Sequence, residues 1–505
     1  MSPIILFSFL AGYFALLVGV SYVTSRKSSG NTAFFIANRS AKWYVVAFGM
    51  VGTTLSGVTL ISVPGAVGNG GFGYFQFVLG NAVGFLIVAG VLLPLYYRLG
   101  LVSIYTYLEK RFGYWSYKSG AMIFLISRTI SSAFRLYIVV IVLQKYIFDA
   151  WSVPFVVTVA TCLTLIWIYT HKGGLKTIII TDTLQTGFML LAVVLSVYFI
   201  ATSLGLDLPE TFETVKQSSY TKMFFWEDFA PSRLHFAKQF LGGVFVAIAM
   251  NGLDQDIMQK NLSMKTIGEA QRNMVSFTAV FVCISFLFLL VGALLYGYVD
   301  QVAVGMAALE TPDHLFPEIA LHHLPTVAGV IFMIGLTAAT FATTDSALTA
   351  LTTSFCVDFL NFDKQKDPSA TKLVKKRHAV HVGFSLVMLA VIWIFNLIND
   401  DSVVNAIFKA AGYTYGPLLG LFGFGILTKR AVRDQVTPFL CLLSPALSFL
   451  LEVGAQRWFG YATGFEVIIF NAAITYTLLF LTSRSLASAQ RVRTECLAVG
   501  AKHPR

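Results

Sequence analysis

Residues Gly52 to Pro64 read GTTLSGVTLISVP, an apolar stretch that nevertheless carries five hydroxyls, on Thr53, Thr54, Ser56, Thr59 and Ser62. Gly52, Gly57 and the closing Pro64 and Gly65 weaken helical propensity along it. A helix facing lipid all round has no use for these residues. Hydroxyls and freed carbonyls at bilayer depth are tolerated where backbone lines a protein-enclosed, partly wet cavity, and a broken helix there offers carbonyl oxygens and amides to a ligand. The stretch therefore reads as one wall of a solute pathway. Gly, Ser and Thr also build close helix-packing faces, and on this stretch alone both readings stand.

The chain around it is a membrane protein by composition. Of 505 residues, 56% are hydrophobic and 12% charged, with a mean hydropathy of +0.73; soluble domains are about half apolar and about one quarter charged. Five cysteines lie mostly in apolar runs without CxxC or His/Cys spacing, which indicates neither a disulfide framework nor a zinc site. Thirteen apolar spans are long enough to cross a hydrocarbon core of about 30 Å. They run roughly 4–23, 43–64, 72–97, 119–144, 152–170, 178–203, 239–258, 273–298, 326–360, 378–398, 403–427, 435–454 and 463–483. The first has no basic residue before it and no small-residue cleavage site after it, so it is expected to remain as a helix.

The net charge of +11 has a topological cause. With the N-terminus outside, 27 of the 36 Lys and Arg residues fall in inner loops or the tail and six in outer loops. That asymmetry predicts an N-out, C-in chain with an odd number of spans, and removes the need for a nucleic-acid partner. The outer loop 204–238 is expected to hold a short amphipathic helix, and the tail from Arg484 to be disordered.

Three cations remain inside spans, Arg128, Arg135 and Lys409, each at a cost of about 3 kcal/mol unless it has a partner or a task. Arg128, Ser131, Ser132 and Arg135 fall at i, i+3, i+4 and i+7, on one helical face. Either a guanidinium there meets a substrate carboxylate, for which its planar fork is suited, or an internal ion pair fixes helix register. Lys409 snorkels or pairs with an acid and is left out of the site. The embedded acids are Asp182 and Asp345, the latter among Thr340, Thr343, Thr344 and Ser346. Carboxylate, hydroxyl and carbonyl oxygens are the hard ligands Na⁺ requires; hydroxyls bonded back to their own helix are the plainer alternative.

Six segments carry a resemblance: FFIANRS at 34–40, TYLEKRFG at 106–113, GGLKTIIITDTLQ at 173–185, DQDIMQKNL at 254–262, AATFATTDSALTALTTS at 338–354 and GPLLGLFGFGILTKR at 416–430. In combination and order they resemble the sodium/solute symporters, the family of the sugar, proline, iodide and sialic acid carriers, from Phe34 to about Leu427. The resemblance implies an all-α polytopic membrane protein of the LeuT type with about 13 transmembrane helices. Two inverted five-helix repeats would occupy 43–203 and 239–427, joined by the outer loop 204–238. One extra helix with its inner loop would precede them (1–42), two would follow (428–483), and 484–505 would be a cytoplasmic tail.

Carried over by position, the family's shared sodium site implies the carbonyls of Gly52, Leu55 and Ala339 and two adjacent hydroxyl positions, Ala342 and Thr343. Ala342 lacks the oxygen, so Thr340, Ser346 or a water substitutes, or Thr343 acts with Thr344. A second ion site in some members matches Asp182, Asp345 and Ser346, hence one or two Na⁺, with a proton as the alternative occupant. Thr54, Ser56 and Thr59 match pocket positions of the sialic acid branch, and Arg128 or Arg135 matches its arginine. Met250 and Asn251 stand where galactose-type members carry a sugar-stacking aromatic pair, against a simple hexose. Tyr74, Gln76, Asn81, Asn251 and Gln255 are further candidates to bond a polar solute.

The expectation is sodium-coupled import of a small polar solute, best matched by a carboxylate-bearing sugar such as sialic acid. Alternatives are a monocarboxylate, neutral sugar, amino acid or inorganic anion, or an uncoupled sensor or channel. Neither HExxH nor GxSxG is present, so no enzyme is expected. A monomer in the plasma (inner) membrane, with lipid, Na⁺ and solute as partners, completes the reading.

Overall fold

Leu55 (φ −87°, ψ 94°) and Ser56 (φ −86°, ψ 177°) leave the helical region and split the second apolar segment into two helices. The computed structural model describes residues 2–25, 31–170, 174–302, 312–362, 371–398 and 403–485. Arg26, Lys27, Lys172, Lys364 and Lys366, used above for orientation, and the tail beyond 485 lie outside the described residues.

Every regular element among the described residues is helical; one isolated β-bridge joins Ala431 to Arg484. In chain order the principal helices are α1 (Pro3–Ser25), α2 (Trp43–Thr54), α3 (Gly57–Gly70), α4 (Tyr74–Ile87), α5 (Tyr114–Leu143), α6 (Phe155–Thr170), α7 (Gly174–Ser203), α8 (Phe236–Ala247) and α9 (Gln255–Leu262). There follow α10 (Ile267–Gln301), α11 (Thr326–Ser354), α12 (Thr371–Ile398), α13 (Val403–Leu427), α14 (Thr437–Phe459) and α15 (Val467–Thr482). Nine described helices are long and apolar enough to cross a membrane, and the bent pair containing α8 and α9 raises this to as many as ten. Trp43–Thr54, Phe155–Thr170 and Val467–Thr482 are apolar but shorter.

The second segment was expected to end at Pro64. Instead α3 carries Pro64 inside it and stops at Gly70, where Gly71 takes φ +53°. A Cβ at Gly71 would press on the Lys222 and Tyr220 carbonyls at 2.9 and 3.0 Å, so the turn needs glycine both for its dihedral and for its neighbour. A second break was not foreseen. After α8 a π-turn, Ile248–Gly252, leads to Asp254 in an extended conformation, and α9 leaves at 63° to α8.

Burial sorts the helices. In the segment containing α11, 78% of the apolar window is buried inside the protein, against 22% for α12 and 28% for α1; α11 is central and the other two are peripheral. The core pairs are α11 on α7, α4 on α8, α2 on α7 and α3 on α10. Backbones approach closely where small residues allow it. A Cβ on Gly243 would strike the Phe77 carbonyl, and one on Gly84 would meet the Val244 carbonyl at 2.5 Å. The loop 204–238 holds the short helix Leu208–Gln217, capped reciprocally by Asp207 and Glu210 (2.8 and 3.0 Å).

Candidate functional site

The break at Leu55–Ser56 removes helical partners from the last carbonyls of α2 and the first amides of α3. Both ends open on a small cavity of about 70 Å³. Thr54, Ser56, Thr59, Tyr74, Asn81, Arg128, Arg135 and Asn251, eight of the ten expected substrate residues, line it. The Thr54 hydroxyl and the Asn81 side-chain carbonyl are buried there without hydrogen-bond partners among the described residues. The amide end of α3 adds positive potential.

Gln76 and Gln255 are not among the lining residues. Gln76 donates to the Gly73 and Leu234 carbonyls (3.1 and 2.9 Å) and accepts from Phe225 N–H (3.1 Å), holding the loop 204–238 against α4. Gln255 accepts from Ile104 N–H (3.0 Å) and donates to the Val102 carbonyl (2.8 Å). Irregular backbone at those places takes both carboxamides, and neither is brought to the cavity.

The two arginines part company. Arg128 pairs with Asp256 and lies 3.7 Å from Asp254. Arg135, two turns further along α5, has no carboxylate within ion-pair distance among the described residues and borders the cavity.

The second break is closed where the first is open. Tyr96 and Tyr105 donate to the freed carbonyls of Gly252 and Leu253, each at 2.9 Å. Asp254 caps α9 by accepting from Asp256 N–H (2.9 Å) and takes the Tyr415 hydroxyl at 2.6 Å. Lys260, 1% exposed, reaches Asp182 at 2.6 Å and Asp256 at 3.9 Å. Sequence reading put Lys260 in an inner loop and overlooked Asp254 and Asp256; the charge borne by Arg128 was the signal, because a buried cation demands an acid and DQD supplies two.

For a cation, the observations lie between the first break and α11. A Cβ on Gly57 would run into the Thr340 hydroxyl, which is fully buried and has no partner among the described residues. Thr343 and Thr344 donate to the Thr340 carbonyl (2.7 and 2.9 Å) and keep lone pairs for an ion. The three residues of the second ion set are not free together: Asp182 is held by Lys260 and Thr53 (3.1 Å), and Ser346 donates to Asp256. Asp345 is fully buried and lies beside the Tyr169 hydroxyl, with no cationic side chain in ion-pair distance among the described residues. Asp182, Asp254, Asp256 and Asp345 are all buried in this half of the core, with Lys260 and Arg128 as ion-pair partners of the first three.

An aromatic partition closes the cavity on the side of the loop 204–238. Phe77, Phe408 and Phe465 sit with ring centroids 4.6 to 5.1 Å apart, and Tyr74 joins Phe77 at 5.4 Å. Beyond it lies a larger cavity of about 390 Å³ that shares Tyr74 and Phe408 with the inner one.

Comparison with known proteins places this geometry. A family model described as the sodium:solute symporter family matches residues 34–434. The chain is 26% identical over 475 residues to sodium-coupled monocarboxylate transporter 1 of Xenopus laevis, covering 90% of this chain and 70% of that protein. It is 25% identical over 484 residues to the sodium/sialic acid symporter NanT of Aliivibrio fischeri, covering 95% and 91%. Its fold matches that of a Na⁺-coupled sialic acid symporter in a substrate-bound outward-open state, with a TM-score of 0.80 at 20% identity over 95% of this chain and 99% of the other.

Proposed function

The chain belongs to the sodium:solute symporter family, and we propose that the solute it imports with Na⁺ is a carboxylate-bearing sugar of the sialic acid class. It is a multi-pass sodium-coupled transporter and not an enzyme. The observation that carries the substrate reading is Arg135: a cation at the cavity without a carboxylate among the described residues, on the same helix face as an Arg128 that already has two. A planar guanidinium binds a carboxylate through two parallel hydrogen bonds. The Thr54 hydroxyl, Asn81 carbonyl and Asn251 carboxamide then serve the hydroxyls and amide of the sugar.

A monocarboxylate is the second reading. The inner cavity of about 70 Å³ suits a small acid as it stands, and the monocarboxylate transporters are relatives. Thermal unfolding of the purified protein with sialic acid, pyruvate, glucose and proline, each in Na⁺ and in K⁺, separates the two. The proposal expects stabilisation by sialic acid in Na⁺ only; stabilisation by pyruvate alone transfers the assignment.

In this reading Na⁺ sits between the carbonyls of Gly52 and Leu55, the carbonyl of Ala339 and the Thr343 hydroxyl, with Thr340 proposed to supply the oxygen that Ala342 lacks. Asp345 marks the position of a second cation. An ion held across the break and α11 fixes the wall that carries Thr54, Ser56 and Thr59, so solute binds more tightly in its presence and, by linkage, the ion binds more tightly with solute. Rocking of one helix bundle against the other then opens the site inward. This requires the α9 network of Arg128, Asp254, Asp256 and Lys260 to part from its neighbours. The membrane potential contributes about 2.3 kcal/mol per charge per 100 mV.

The proposed topology has thirteen spans, N-out and C-in, in the plasma membrane, with inverted repeats over 43–203 and 239–427. Each repeat then begins with an interrupted helix, α2–α3 and α8–α9. We take the monomer as the proposed working unit.

A further inference from the structure

Asp256 divides its two oxygens between two helices of different task. Oδ1 accepts from the Ser346 hydroxyl on α11, and Oδ2 takes the Arg128 guanidinium on α5. Ser346 lies three residues beyond Thr343, on the same face of α11, and Arg128 borders the inner cavity. Ser346, Asp256 and Arg128 are each 2% exposed, so both bonds act in a low-dielectric interior where water does not compete. One turn along α9, Lys260 lies 3.9 Å from the same Oδ1 and donates to Thr53, which borders the cavity from α2. Holding Arg128 does not by itself require Asp256, because Asp254 lies 3.7 Å from the guanidinium and is fixed in turn by the Tyr415 hydroxyl. What Asp256 adds is the bond to α11. A rigid carboxylate held at both oxygens passes a displacement of one partner to the other, and α9, set off from α8 by a 63° bend, is a discrete element that can carry it.

We propose that Asp256 is a positioning residue that couples ion occupancy on α11 to solute binding in the inner cavity, through Ser346 on one side and Arg128 on the other. The inference rests on the reading that places Na⁺ between the first break and α11. A cation held on the Thr343 face fixes α11 and Ser346 with it. The Ser346–Asp256 bond, strengthened by the charge of its acceptor, then holds the carboxylate, and the carboxylate holds the Arg128 fork in the cavity wall, seven residues from Arg135 on the same helix face. Arg128 need not touch the solute for this. By linkage, solute that settles the wall tightens the ion by the same factor.

The test is a double-mutant cycle on the coupling itself, in the purified full-length protein. The quantity read, for sialic acid and for pyruvate, is the ratio of Kd in K⁺ to Kd in Na⁺ at a concentration saturating for each variant, with thermal unfolding measured alongside. Asp256→Asn keeps the side-chain shape and leaves Arg128 to Asp254; it is expected to lower the ratio by roughly 10-fold, within the usual span of coupling between sites. Ser346→Ala, which leaves the Arg128–Asp256 pair intact, is expected to lower it similarly, and the double variant no further. Asp256→Glu is expected to keep more of the ratio than Asp256→Asn. A wild-type ratio in folded Asp256→Asn or in Ser346→Ala, or losses that add in the double variant, overturns the inference and leaves the ion reading standing. A role confined to holding helix register gives the first of these results together with a lowered unfolding temperature. Where Asp256→Asn does not fold, Ser346→Ala decides alone. A ratio of one in the wild type overturns the ion reading together with this inference, and binding of neither solute overturns the solute readings with it.

Discussion

Lys260 Nζ lies 2.6 Å from Asp182 Oδ2, and both side chains are 1% exposed. The pair ties α9, the half-helix after the second break, to α7, and it fixes what Asp182 does. A carboxylate expected from sequence to hold an ion also compensates a buried lysine, which in turn faces Asp256 at 3.9 Å.

Breaking that pair from one side leaves a charge without a partner in the core, at a cost of about 3–5 kcal/mol. Lys260→Met is expected to lower the unfolding temperature of the purified protein sharply, and Lys260→Met with Asp182→Asn to recover much of the loss. Thermal unfolding in detergent measures this. A double variant no more stable than the single one contradicts the pairing.

Arg128 and Arg135 are expected to fail in different ways. Arg128→Gln strands Asp254 and Asp256 and should appear first as instability. Arg135→Gln removes no contact with an acid among the described residues and should fold normally. It should lose about 1.5–3 kcal/mol of binding to a carboxylated solute, a rise in KM of roughly 10- to 100-fold. Uptake kinetics paired with thermal unfolding distinguish the two; an unchanged KM in Arg135→Gln refutes the carboxylate assignment.

Ala342 gives a gain-of-function test. Ala342→Ser restores a hydroxyl at the ion position and should lower the half-activating Na⁺ concentration by roughly fivefold, for a contact of about 1 kcal/mol. Thr340→Val should raise it. Na⁺ titrations of initial uptake rate decide, and half-activation unmoved by both changes removes Thr340 from the ion site.

The first break was legible because Gly52–Pro64 mixes hydroxyls and glycines into an apolar run, a pattern with few explanations in a bilayer. The family was legible for a different reason, the ordered set of six segments, and the match over residues 34–434 bears it out. The second break was hidden: Met250, Asn251 and Gly252 sit in what scans as one continuous span, and only the closed network of tyrosines and acids around them reveals the turn. Lys260 was misplaced because hydropathy sees a polar half-helix as a loop, although protein rather than lipid surrounds it. For Gln76 and Gln255, residue type marked them as polar groups for a solute, but nearby irregular backbone claimed both ends.

The central claim, that Na⁺ held near the Leu55–Ser56 break drives uptake of a carboxylated sugar, is tested most directly by radiolabelled sialic acid uptake into proteoliposomes containing the purified protein. With an inward Na⁺ gradient the solute should accumulate above its external concentration, and with choline in place of Na⁺ it should not. Equal uptake in choline, or no uptake in either medium, contradicts the account.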